Sequence, residues 1–326
     1  MNSVKSAGTD QTSAGRPQRR LGRFWDWLPT TVDRRVRVAA WLNLIFQTVL
    51  VGTGGAVRLT ASGLGCPTWP KCTAGSFVTT PEMGIHGIIE FGNRTLFFVL
   101  QIVALIALLF VLKLRKERPD LFVLAVIPAC SVLLQAVVGG ITVLSQLNPY
   151  VVGLHFVLSV VLVVLGAVFV YRTYTAPGPR ERVVPAWFAG LTHATSFFVA
   201  ITVLVGILTT GSGPHAGDHG SARNNLPTEL MEHVHSWPAY VTLALTIVLV
   251  IAAWTRGITA PRSALSWLFV VEGVQIIVGV TQARTGLPGI LVGTHMVLAC
   301  VLAAVMAVAI LQLKQPVRTS AVARDL

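Results

Sequence analysis

The chain of 326 residues is 53% hydrophobic and only 12% charged, with a mean hydropathy of +0.70. A soluble domain carries about twice that share of charge, and the apolar residues here gather into runs near 20 long, the length that crosses ~30 Å of hydrocarbon as helix. Main-chain amides in lipid must be satisfied within their own segment, and the ten-residue alternation of a barrel is absent, so composition excludes a soluble fold and a β-barrel and leaves an all-α, polytopic membrane protein.

Residues 1–36 are polar and basic, with no apolar run after a short charged start, and read as a cytoplasmic tail, disordered to about Arg20. Trp25, Trp27 and Leu28 are placed to form a short amphipathic piece on the membrane surface. Eight spans follow, at 38–57, 86–112, 121–145, 149–171, 186–209, 232–254, 264–282 and 288–312. They divide into an N-terminal four-helix bundle over 37–172, a cytoplasmic linker over 173–185, a C-terminal four-helix bundle over 186–313 and a cytoplasmic tail over 314–326. Connections on one side of the spans hold twenty Lys and Arg; the other side holds four, Arg58, Lys71, Arg223 and Arg284. The positive-inside rule then places both termini in the cytoplasm of a cell-membrane protein. The net charge of +12 therefore reports topology and contact with membrane lipid, not a nucleic-acid partner.

The two halves repeat each other. Val151-Val-Gly153-Leu-His155 matches Leu291-Val-Gly293-Thr-His295, and Gln135-Ala-Val-Val-Gly139 matches Gln275-Ile-Ile-Val-Gly279, both at an offset of 140. Glu90-Phe-Gly-Asn93 matches Glu232-His-Val-His235 at an offset of 142, and Val51-Gly52 pairs with Val205-Gly206. Four spans separate the partners, so the repeat is parallel and the bundles are pseudo-symmetric. Chance likeness among Val- and Gly-rich helices does not produce near-constant offsets at polar positions.

Ionisable groups inside a span cost ~3 kcal/mol or more each and usually serve a function. In the second span His86, Glu90 and Arg94 recur every four residues on one face, beside Asn93. His155, His235 and His295 stand near the starts of the fourth, sixth and eighth spans, all of which begin on the outer side. Two imidazoles from two helices of one bundle, as at His235 and His295, are what a six-coordinate haem iron needs. The competing reading, a histidine bonded to a main-chain carbonyl or a neighbouring helix, suits a lone intramembrane histidine better than a pair repeated in both halves. Zinc lacks a third and fourth ligand at compact spacing. Glu272 has Val132 at the matching place in the first half and is open to either a proton path or a simple hydrogen bond.

Cys66 and Cys72 flank Pro67-Thr-Trp-Pro-Lys71 in the first outer loop, where disulfides persist; a disulfide, or two free thiols meeting an external redox partner, fits the spacing. Cys130 and Cys300 read as small core residues. Gly52, Gly54, Gly55, Gly139 and Gly140 allow close approach of a helix or of a bulky ligand.

The stretch Gly54-Gly-Ala-Val-Arg58-Leu-Thr60-Ala-Ser62-Gly-Leu-Gly-Cys66-Pro-Thr-Trp69-Pro-Lys-Cys72, with Ile-Ile-Glu90-Phe-Gly-Asn93-Arg94, resembles the haem A synthase family over nearly the whole chain beyond the tail. The resemblance implies an oxidoreductase that converts the C8 methyl of haem O to the formyl of haem A for terminal oxidases. It implies a resident haem b on His235 and His295, a substrate site with His155 as iron ligand and Glu90 at the reaction centre, and a Cys66–Cys72 disulfide. Haem O is then the substrate, with a haem O synthase, an electron carrier and a homo-oligomer as candidate partners.

Two departures stand out. Asn93 occupies the place where relatives commonly carry His, and a neutral amide is a poor iron ligand. His86 is the nearest substitute, although two turns separate it from position 93, ~10 Å along the axis. The loop after the fifth span has no cysteine pair and reads Gly211-Ser-Gly-Pro-His215-Ala-Gly-Asp218-His219, a solvated loop or a propionate or metal contact. Arg94 is a candidate for holding a haem propionate at two points. The rival readings are a b-type electron-transfer subunit linked to quinone, which needs neither Glu90 nor the cysteine loop, and a transporter, whose polar groups would sit nearer the midplane.

Overall fold

The computed structural model describes residues 22–23 and 25–317. Among them eight long helices are apolar enough to cross a membrane: α1 Arg34–Leu59, α2 Gly84–Val111, α3 Pro119–Leu144, α4 Pro149–Thr173, α5 Ala186–Ser212, α6 Thr228–Thr255, α7 Arg262–Arg284 and α8 Gly289–Leu311. No end differs from the sequence expectation by more than four residues. The starts follow local chemistry. Asp33 caps α1, accepting from Arg35 N at 2.9 Å and Val36 N at 3.2 Å, while Arg35 Nε closes on its other oxygen at 2.8 Å. Pro119 and Pro149 open α3 and α4, where the missing N–H costs nothing, and Asn148 caps Tyr150 N at 3.0 Å. Pro128 and Pro238 lie inside α3 and α6 without ending either helix.

Packing follows the four-plus-four division. In the first half α1 meets α2, α2 meets α3, α3 meets α4 and α4 returns to α1; in the second α5, α6, α7 and α8 close the same ring. The halves join where α8 lies against α1 and α4, and where α4 meets α5. Gly52 and Gly55 of α1 supply part of that seam, facing Val297 and Met296 of α8.

Each bundle is dry at one end only. In the first half Val36, Val111, Leu121 and Phe169 lead a buried cluster drawn from the start of α1, the end of α2, the start of α3 and the end of α4. In the second, Phe188, Leu249, Leu265, Leu268 and Met306 form its counterpart. Both lie toward the face that carries the described chain ends; eight crossings return the chain to the face on which it began. The opposite ends of the bundles hold His155, His235 and His295, the glycines against them and the longer loops.

Two expectations change. Residues Arg180–Arg182 form strand β1, paired antiparallel with β2, Lys314–Pro316, so the linker and the start of the C-terminal tail are tied together. The polar, Pro-broken sequence carries no strand alternation; the pairing arises because two chain segments leave the bundle side by side with main-chain groups to satisfy. Cys300 is buried as expected, but Cys130 is exposed on the outer face of α3, where no helix packs. Residues 25–27 are helical, with Trp25 and Trp27 exposed and Leu28 buried; the rest of the tail up to residue 21 and residues 318–326 lie outside the described residues.

Asp33→Ala is expected to remove about 1 kcal/mol of stability, read as a lower thermal midpoint in detergent, with Asp33→Ser close to wild type. Burial pushes the Asp33 carboxyl up, but the Arg35 side chain and the two amides outweigh it and hold it below the ordinary aspartate range. The capping contribution is therefore complete above that range and disappears as pH falls through the depressed value. A midpoint difference between wild type and Asp33→Ala that persists undiminished in strong acid would contradict this.

Candidate functional site

Three imidazoles sit against glycines of a neighbouring helix. His235 of α6 lies on Gly206 of α5, where an added Cβ would fall 2.8 Å from Cε1. His295 of α8 lies on Gly279 of α7, at 3.0 Å from Cε1, and His155 of α4 lies on Gly139 of α3, at 3.5 Å. A Cβ at Gly206 or Gly279 would press on the ring, whereas at Gly139 it would meet His155 in ordinary contact. Nδ1 of all three is buried without a hydrogen bond, with the main chain of Thr202 beside His235 and that of Gln275 beside His295. The second and first halves repeat a further contact: Gln275 Nε2 donates to His295 O at 3.0 Å, and Gln135 Nε2 donates to His155 O at 3.3 Å and to Ser159 Oγ at 2.7 Å.

The second half brings two of these rings together. The centroids of His235 and His295 are 6.2 Å apart and their planes cross at 75°. The first half has no such pair. At the place of His235 stands Asn93, whose Oδ1 accepts from Thr53 Oγ1 of α1 at 2.8 Å. His86 is exposed, its Nδ1 2.9 Å from Ser62 Oγ, and it faces the first loop rather than the bundle interior.

Glu90 and Arg94 form the other centre. Glu90 is buried (5% exposed); Arg94 donates to its Oε1 through both Nε, at 3.1 Å, and Nη2. The other carboxylate oxygen, Oε2, accepts from Cys66 N. Arg94 also reaches the carbonyls of Cys66 at 3.0 Å, Thr68 at 3.1 Å and Lys71 at 3.4 Å. The Cys66–Cys72 disulfide closes this loop, and both cysteines are fully buried. One ion pair on α2 thus holds the disulfide loop over the end of the first bundle that lies opposite its buried apolar cluster. Trp69, in the same loop, seats its indole on Gly140 of α3 so closely that a Cβ there would overlap ring atoms. Gly140 adjoins the glycine under His155, so the loop and the histidine share one stretch of α3.

The loop after α5 is a strut. Arg58, at the end of α1, donates from Nε to His215 O at 2.6 Å and from Nη2 to Thr210 O at 2.9 Å. His215 Nε2 lies 2.8 Å from Leu287 O, in the turn before α8, and Gly63 N donates to Gly217 O at 2.8 Å. His193 and His219 are exposed. Glu272 is buried in the second half, accepting from Thr246 Oγ1 at 2.9 Å, while its Oε2 has no partner.

Sequence reasoning found the ionisable groups and missed their supports. Gly206 and Gly279 carried a signal, since both stand in the repeated motifs. Nothing marked Arg58 as the bridge between halves, or Trp69 as the residue seated on Gly140, because both contacts join segments far apart in the chain.

The profile of the COX15-CtaA family, described as cytochrome oxidase assembly protein, matches residues 37–307. A curated relative from Listeria monocytogenes, named Heme A synthase, is 23% identical over 227 residues, covering 67% of this chain and 74% of that protein. Proteins of the same name from Exiguobacterium sibiricum and Geobacillus thermodenitrificans are each 29% identical, over 181 and 165 residues, covering 54% and 50% of this chain and 59% and 49% of their own lengths.

Gly140→Ala is expected to unseat Trp69 and free the loop, raising its cleavage rate by an external protease in proteoliposomes severalfold. Gly92→Ala, on α2 where a Cβ meets open space, serves as the control and should leave cleavage unchanged. Equal cleavage of the two variants would show that the loop does not rest on Gly140.

Proposed function

We propose, from the premise that the chain belongs to the COX15-CtaA family of cytochrome oxidase assembly proteins, that it is a haem A synthase, a multi-pass membrane oxidoreductase that acts on haem O. The C8 methyl of haem O becomes the formyl of haem A. The observation that carries the assignment is the pair of unlike centres at matching ends of two matching bundles: two facing imidazoles in one, an imidazole with a buried carboxylate in the other. Matching motifs, glycine seats and glutamine contacts support descent of the halves from one duplicated bundle. The charge asymmetry of the connections supports termini in the cytoplasm.

Haem b fits the second half. Two iron–nitrogen bonds of about 2 Å, with roughly 1 Å from each nitrogen to its ring centre, need centroids about 6 Å apart, and those of His235 and His295 stand at 6.2 Å. Their Nδ1 atoms, buried beside main chain and lacking a partner, leave Nε2 as the donor to a metal. When bound, the haem supplies electron transfer, and the redox chemistry belongs to the porphyrin. His235 and His295 would hold it, and Gly206 and Gly279 fix where the rings stand.

The first half is the substrate site. His155 is the ligand to the iron of haem O, with Asn93 opposite in place of a second imidazole. Glu90 accepts the proton that leaves the methyl or hydroxymethyl group as the carbon is oxidised. Arg94 orients that carboxylate and holds the disulfide loop, whose Trp69 is seated on Gly140, next to the glycine under His155. His86 anchors the loop through Ser62. An electron-transfer subunit would need the histidine pair but not this carboxylate beneath a disulfide loop, which is why the synthase reading prevails.

Two experiments test the assignment. Purified wild type should give a low-spin bis-histidine haem spectrum that His235→Ala and His295→Ala abolish; a folded, active, haem-free wild type would refute the resident site. Glu90→Gln keeps an acceptor for Cys66 N and should retain the haem spectrum while haem A formation falls by about 100-fold or more. Unimpaired conversion of haem O in that variant would remove Glu90 from the chemistry.

A further inference from the structure

On the face that carries the ends of the described chain, Arg118 pairs with Asp120, and Arg172 and Arg180 lie within electrostatic reach of the same carboxylate. Arg118, at the start of α3, is 6% exposed and donates to Asp120 from Nε and Nη2, both at 3.0 Å, and from Nη2 to Arg172 O at 2.7 Å. Arg172 lies in the last turn of α4. Arg180, in β1, donates through Nη2 to Thr175 Oγ1 and Ala176 O, both at 3.1 Å, while its Nη1 is buried with no hydrogen-bond partner among the described residues. Burial, then repulsion from Arg172, with Arg118 adding to it, lowers the Arg180 pKa; Tyr171 and Asp120 offset this in part.

Three guanidinium groups against one carboxylate leave an excess of two positive charges in a partly dry place. The unpaired N–H group costs free energy unless something accepts from it. Among the described residues nothing does so, and the group that would complete the site is an anion. The cluster lies where α3 begins and α4 ends, at the edge of the apolar spans. It also sits beside the β1–β2 strap, which ties the linker between the halves to the segment after α8.

We propose that Arg118, Arg172 and Arg180 form a binding site for a phosphate group, contributed by the headgroup of an anionic phospholipid or by free phosphate. Guanidinium groups suit phosphate because their paired N–H groups match its oxygens. The bound anion accepts from Arg180 Nη1, balances the cluster and steadies the junction of α3, α4 and the linker. The site is independent of the catalytic reading.

The test is the thermal midpoint of the purified, delipidated full chain in detergent, with added phosphatidylglycerol, phosphatidylcholine, or inorganic phosphate against chloride at equal ionic strength. A saturating ligand is expected to raise the wild-type midpoint by roughly 5 °C. A rise with phosphatidylglycerol alone identifies the headgroup; a rise with inorganic phosphate as well identifies a site open to free phosphate. Arg180→Gln should weaken the effect at least tenfold in anion concentration, and Arg182→Gln, exposed on the same strand, should not. The proposal is overturned if neither anion raises the midpoint, if phosphatidylcholine does so equally, or if the two variants respond alike. Should Arg180→Gln fail to fold, Arg180→Lys keeps the charge without the forked donors; a threefold or greater weakening then supports the site and an unchanged response overturns it.

Discussion

An imidazole ring can enter a packed helical bundle only where the facing helix gives up its side chain. Gly139, Gly206 and Gly279 are the three places where that happens, under His155, His235 and His295. A methyl group at Gly206 or Gly279 would fall 2.8 or 3.0 Å from a ring carbon, closer than ordinary carbon–carbon contact. The glycines cost helix stability, of order 1 kcal/mol each in water, and the dry clusters at the opposite ends of the bundles offset that cost. The fold therefore separates two tasks along the membrane normal: leucine, valine and phenylalanine hold the helices together near the chain ends, and glycine with histidine opens the other end to a ligand.

That division explains what was legible in the sequence. Spans near 20 residues, bounded by Pro119, Pro149 and charged turns, fix the helices because lipid leaves the backbone no alternative. Motifs recurring at offsets of 140 and 142 pair His155 with His295 and Asn93 with His235, and so set out which positions to compare between the halves. Side-chain identity alone located Glu90 and Arg94 on one face, since positions four apart on a helix must meet. What escaped was contact across loops. The Arg58 strut, the Trp69 seat and the β1–β2 strap join residues separated by more than 70 positions, and no periodicity encodes such a meeting. Cys130 escaped for a different reason. A thiol is apolar enough to face lipid, so membrane composition does not tell the outside of a helix from its inside.

Arg94 ties two parts of the first half together. Its N–H groups go to the Glu90 carboxylate and to three loop carbonyls. A guanidinium has five donors in a rigid fork, and this one uses them to make the carboxylate and the disulfide loop a single unit. Substitution there would act on the loop and on Glu90 together, so the two cannot be separated through Arg94. Glu90→Gln separates them, because it changes the proton chemistry and leaves an acceptor for the Cys66 amide.

The asymmetry between the bundles follows the difference between a cofactor and a substrate. A resident haem gains from two protein ligands, since each further bond slows its loss. A haem that must arrive, react and leave gains nothing from being bound equally tightly before and after the reaction; uniform binding lowers KM without raising kcat. On the proposed assignment, the second half keeps both imidazoles while the first replaces one by Asn93, which is already satisfied by Thr53. The first half then invests its polar groups in Glu90 and its loop, beside the carbon that reacts rather than at the iron. On that assignment, two halves of like sequence take different tasks through the loss of one imidazole ligand and the placing of a carboxylate in the same bundle.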